Sequence, residues 1–131
     1  MTAPSEPCPK IRVAMMPRDT NMHGTIFGGV ILSHIDQAGA IACRACGVSR
    51  VVTVSMKEVV FREPVWVGDV VSFYADVAHV GTTSITVKVR VEAERLRSGE
   101  RITVTDAQVV YVAVDEQGQK TAVPRQPARL G

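Results

Sequence analysis

The chain has no apolar run close to the roughly 20 residues that span a bilayer. It also has no block of like charge, no internal repeat and no low-complexity segment. Each absence excludes something. Without a long apolar run there is no transmembrane helix to expect. The first ten residues lack the charged segment followed by an apolar one that marks a secretory signal, so the cytoplasm is the expected location. The net charge of +2 comes from 15 basic and 13 acidic residues that interleave along the chain. It offers no basic stripe to nucleic acid or to an anionic membrane. Cysteine is sparse as well: Cys8, Cys43 and Cys46 are an odd set with no disulfide framework. Cys43 and Cys46 form a C-x-x-C, but it falls near the C-terminal end of a helical pattern, where the helix dipole opposes a thiolate. Core packing is the favoured reading of that pair over redox work. No His, Cys and carboxylate cluster has metal-ligand spacing, so neither a metal nor a cofactor is expected.

What remains is an ordinary globular composition, 46% hydrophobic and 21% charged over 131 residues, enough for one domain and one core. Three prolines in the first nine residues make residues 1–9 a loose tail, residues 10–124 the domain, and residues 125–131 a second tail. Lys10 to Met16 reads as a short edge strand ended by Pro17. A helix is predicted from about Phe27 to about Ala45, with Gly47 as the stop. Strand patterns rich in β-branched residues follow at Val51–Met56, Val70–Val80, Ile85–Leu96 and Thr103–Val114, with turn residues between them. One helix before four consecutive strands is an α+β pattern, and long strands joined by tight turns favour an antiparallel meander. So large a sheet and one apolar helix imply a curved sheet wrapped around that helix.

On a helical wheel Ser33, Gln37 and Arg44 form a narrow polar sector, and the rest is apolar. Asp36 lies beside that sector, and it reads either as an ordinary carboxylate on the solvated edge or, because its stripe is Gly29, Leu32, Ala40 and Cys43, as a nearly enclosed one able to serve as base or nucleophile. Gly28 and Gly29 open the helix. Their N–H groups stand at the positive end of its dipole, where they can hold an oxyanion or a carbonyl. The pair precedes Asp36 by about two turns, on one face. Asn21, just before this turn, is either an ordinary turn residue or a group that holds a water near Asp36. Gly39 and Ala40 are small enough for another backbone to approach, a second copy of the helix being one candidate. Ser33, His34 and Asp36 cannot form a triad, because neighbouring helical residues point in different directions. His23 and His79 read as loop residues.

The run Asn21-Met22-His23-Gly24-Thr25-Ile26-Phe27-Gly28-Gly29, followed by Asp36-x-Ala38-Gly39-Ala40, resembles the hotdog-fold acyl-CoA thioesterases. The nearest likeness is to their cytosolic acyl-CoA hydrolase branch. Further matching stretches are Arg50-Val51-Val52-Thr53-Val54, Phe61-x-x-Pro64 with Gly68-Asp69, Val80-Gly81-x-x-Ser84-Ile85 and Val104-Thr105-Asp106-Ala107. The resemblance implies a hotdog fold, a curved antiparallel sheet of five or six strands around one long helix. It also implies hydrolysis of acyl-CoA thioesters to a free acid and coenzyme A. The active site would lie at the interface of a dimer joined sheet edge to sheet edge, with further assembly into a trimer of dimers. Carried over by position, Asp36 is the catalytic acid and Asn21 its assisting amide, facing Gly28 and Gly29 of the partner. Gly81, Thr82, Thr83 and Ser84 match a segment that approaches coenzyme A, and Lys88 and Arg125 are candidates for its phosphates. Many relatives carry an acidic residue immediately before the Phe of Phe-x-x-Pro, where this chain has Val60. The alternatives are a non-catalytic acyl-CoA-binding hotdog protein and a hotdog hydratase or dehydratase, the latter needing a His paired with an acid.

Overall fold

The computed structural model describes residues 7–124. Strand β1 (Ile11–Ala14) leads through a short 3-10 turn at Pro17–Asp19 and a loop into helix α1 (Gly28–Cys43). Strands β2 (Val51–Lys57), β3 (Val70–Val80), β4 (Ser84–Glu94) and β5 (Arg101–Ala113) follow. All pairings are antiparallel, and the sheet has five strands in the order β1-β3-β4-β5-β2.

The expected meander holds for β3, β4 and β5 only. β2 does not pair with β3, its successor in the chain, but lies beyond β5 at the sheet edge. The residues between β2 and β3 form no hairpin. Glu58 turns the chain out of the strand at a positive φ of 62°, and the connection past Pro64 carries it across to β3. That connection is pinned by Asp69, which is 2% exposed and accepts hydrogen bonds from the Trp66 N–H and the Arg95 guanidinium.

The core lies between α1 and one face of the sheet. Strict alternation along β4 sends Ile85, Val87, Val89, Val91 and Ala93 inward, each fully buried. Each of the isoleucine and valine side chains contributes about 1.5–3 kcal/mol on burial. Ile31, Ile35, Ala38, Ala42 and Cys43 face them from the helix, and Ser33, Gln37 and Arg44 face solvent as the wheel requires. The α-helix stops at Cys43, two residues before the predicted end, and its last turn tightens into a 3-10 turn at Arg44–Cys46. Gly47 then adopts the left-handed conformation at φ 80° that closes the helix. Cys43 and Cys46 are both buried. Burial first, and the neighbouring Cys46 second, push the Cys43 thiol up to about 12, a value that fits a packing residue rather than a reactive one.

Candidate active site

Glycine at the start of α1 has a local cause. The chain reaches the helix through a tight loop in which the Ile26 N–H donates to the Val65 carbonyl and the Phe27 N–H to the Asp19 carbonyl. Phe27 is the N-cap, with extended φ −61° and ψ 129° and no side-chain capping bond. The Gly28 and Gly29 N–H groups, the first two of the helix, have no acceptor among the described residues. A Cβ at Gly29 would come within 2.5 Å of the Phe27 ring. This is a helix N-terminus left uncapped by its own side chains, with its dipole and donors directed outward.

Asp36 projects from the middle of α1 toward strand β2. Its Oδ1 accepts a 2.6 Å hydrogen bond from the Thr53 hydroxyl. The single chain leaves this carboxylate half-buried, not enclosed as the wheel suggested, because β2 is the last strand of the sheet and no element among the described residues lies beyond it. Beneath it, Ile85, Tyr111 and Thr53 form one row across β4, β5 and β2. The Tyr111 hydroxyl donates a 2.6 Å bond to the Asp36 main-chain carbonyl. Its ring lies so close to Gly39 that a Cβ there would collide with it. Gly39 therefore serves an approach within the chain, by a side chain of β5.

The other predicted residues divide by position. Asn21 closes its own loop: Nδ2 donates to the Thr25 hydroxyl at 2.8 Å, and Oδ1 accepts from the N–H groups of His23 and Thr25. Gly81 to Ser84 is the β3–β4 turn, closed by a 2.8 Å bond from the Gly81 N–H to the Ser84 carbonyl. A Cβ at Gly81 would meet the Ser84 hydroxyl at 2.7 Å. Because Ser84 adjoins Ile85, this turn sits at the same end of the sheet as Asp36. The Thr82 and Thr83 carbonyls accept from the Val123 and Ala113 N–H groups.

Lys88 is elsewhere. Phe73 stacks on His34 of the helix at 5.3 Å, so its neighbour Tyr74 faces outward. The registers Tyr74–Arg90 and Asp76–Lys88 put Lys88 on that outer face too. There it lines a cavity of about 700 Å³ with Lys10, Asp76 and Arg90, away from Asp36. Arg125 lies outside the described residues. His34 bonds the Val30 carbonyl at 2.8 Å and stacks on Phe73, so it is not paired with Asp36. His23 is in a loop as predicted, whereas His79 belongs to the end of β3, at an irregularity in its pairing. Tyr111 was not among the predicted site residues, since an aromatic in a β-branched run reads only as core. Thr53 entered only within a matching stretch, because its link to Asp36 depends on β2 lying under the helix.

A sequence profile described as Thioesterase superfamily matches residues 23–100. The chain belongs to this superfamily. Among thioesterase relatives, the acyl-CoA thioester hydrolase YciA of Escherichia coli is 42% identical over 117 residues, covering 87% of this chain and 89% of its own. The solved structure of a hexameric hotdog-fold thioesterase of Campylobacter jejuni matches with a TM-score of 0.84 at 52% identity, over 88% of this chain and 89% of that one. A hexameric broad-specificity acyl-coenzyme A thioesterase, HI0827, matches with a TM-score of 0.85 at 42% identity, over 95% and 86%. The curled five-stranded sheet around one helix is thus the hotdog fold.

Proposed function

We propose that this thioesterase-superfamily chain hydrolyses acyl-CoA thioesters to a free carboxylic acid and coenzyme A, at a site built by two protomers. The observation that carries this reading is the half-buried Asp36 carboxylate, held by Thr53 beside a sheet edge that is open among the described residues, on the same helix whose first N–H groups lack acceptors there. The close relatives' names supply the substrate class.

Distance argues for the second protomer. Seven residues separate Gly29 from Asp36, about 10 Å along the helix axis, and the free N–H groups point away from Asp36. A reacting carbonyl must lie roughly 3–3.5 Å from its attacking atom. One helix cannot hold the carbonyl oxygen at its N-terminus and attack the same carbonyl carbon from Asp36. Two copies joined through β2, which exposes Val52 and Val54 and has an unpaired edge, bring Asp36 of one to the helix N-terminus of the other. Further association of such dimers into a hexamer agrees with the hexameric relatives.

In this site the N–H groups at Gly28 and Gly29 polarise the thioester carbonyl and hold the oxyanion as it forms. Asp36 takes a proton from water as the water oxygen bonds to the carbonyl carbon. The carbon–sulfur bond then breaks, and the proton passes to the departing thiolate. Direct attack by Asp36 through a mixed anhydride, then hydrolysed by water, gives the same products. Asn21 orients the water, and the turn from Gly81 to Ser84 contacts coenzyme A. Water is the only co-reactant that either route requires.

A thiol-release assay over short, medium, long and aryl acyl-CoAs tests the reading. Asp36→Ala is expected to lose about 10²–10⁴-fold in kcat while still binding coenzyme A. Wild-type turnover by that variant removes Asp36 from the chemistry. Absence of thiol release by the native protein on every substrate leaves a binding protein instead.

A further inference from the structure

The carbonyl of a residue in mid-helix is normally satisfied by one amide, four residues on. At Asp36 that carbonyl also receives the phenol of Tyr111 at 2.6 Å. The ring delivering it is fully buried, comes from a central strand, and occupies the space that any side chain larger than hydrogen at Gly39 would need. Tyr111 is also the register partner of Thr53, whose hydroxyl holds the Asp36 carboxylate at 2.6 Å. One row of the sheet therefore grips both ends of a single residue, Thr53 its carboxylate and Tyr111 its main chain.

We propose that Tyr111 is a positioning residue for Asp36, its hydroxyl locking the helix turn that carries the carboxylate onto β5 so that Thr53 and the reacting carbonyl meet it at one fixed place. The proposal rests on the reading of Asp36 as base or nucleophile. Tyr111 acts through Asp36, by the bond to its main-chain carbonyl and by its closeness to the carboxylate. Its phenol is a lasting donor: burial, and next the nearby charge of Asp36, raise it well above the ordinary tyrosine value, so it stays protonated. Gly39 completes the device, since the phenol reaches the carbonyl only where the helix lacks a Cβ.

The test uses the intact oligomer and two variants. Tyr111→Phe keeps the ring and removes the hydroxyl; Gly39→Ala keeps the hydroxyl and pushes it off the carbonyl. Both are expected to lower kcat by about 10- to 100-fold, with KM within twofold of the native value. Amide exchange at Gly39 and Ala40 is expected to quicken relative to the rest of α1. Activity of Tyr111→Phe within twofold of native overturns the proposal. So does a loss that only tracks the unfolded fraction, with kcat per folded protomer unchanged, because that is a purely structural role. A native protein that releases no thiol overturns the hydrolase reading and this proposal together, whereas an active native protein matched by Tyr111→Phe overturns the proposal alone.

Discussion

Two residues of one buried cluster, Cys43 on the helix and Tyr111 on β5, contribute to the response of this chain to alkali. Burial raises both the Cys43 thiol and the Tyr111 phenol, so the folded chain keeps protons that the unfolded chain has released. Such groups contribute stability that is complete below their unfolded pKa values and declines as pH rises past them. For Cys43 the window runs from 9.0 to about 12. Across it, the thiol steepens the fall in unfolding free energy by on the order of 1 kcal/mol per pH unit. Denaturant unfolding of Cys43→Ala is expected to show a shallower decline over that window than the native protein, whatever its absolute stability. Equal slopes would show that the thiol titrates alike in both states. That Cys43 is a packing residue was legible in its place on the wheel and at the C-terminal end of the dipole. That Tyr111 would join the same buried cluster was not, because 68 residues and three strand registers intervene.

At the scale of the element, helix α1 carries on one axis the two groups that the proposed mechanism uses. Its N-terminus is a donor site, and its middle carries the acid. Gly28 is the place to separate donor chemistry from fold. It is the first helical residue, where proline is well tolerated, and Phe27 before it already has the extended backbone that a following proline demands. A Cβ there meets only the Phe61 ring, at an ordinary 3.5 Å. Gly28→Pro thus deletes one N–H with little strain. It is expected to lower kcat by about 10²–10³-fold and to leave the melting temperature close to native, as measured by thiol release and thermal unfolding. Retained turnover would mean that the donors come from elsewhere. The helix, its glycine start and its stop at Gly47 were legible because capping and periodicity are local. The small residue at position 39 was legible as a close approach, but what approaches was not, since only the sheet could say that it is Tyr111.

At the scale of the whole molecule, the proposed site is completed by a second protomer. The predicted site residues do not converge in the protomer: Asp36 lies beside the β2 edge, the free N–H groups stand about 10 Å along the helix, and Lys88 occupies the outer face. If the site is shared, two defects in different halves complement each other. Asp36→Ala and Gly28→Pro, each inactive alone, are expected to regain up to about a quarter of native activity when unfolded together and refolded as mixed dimers, since one of the two sites in a mixed dimer has both halves intact. Thiol release by the mixture no greater than the sum of the two variants would place the whole site within one chain.

The sequence by itself determined the helix, the approximate extent of the strands and the polar sector of the helix, and it singled out Asp36, Gly28 and Gly29 as candidates for the chemistry. These follow from periodicity, capping and backbone freedom, which act over a few residues. Only the tertiary structure decided that β2 passes beyond β5 to the open edge, that Thr53 and Tyr111 hold Asp36 from one row, and that Lys88 faces the other side. Strand order and register arise from contacts between segments far apart in the chain, and no local pattern of residues encodes which strand becomes the neighbour of which.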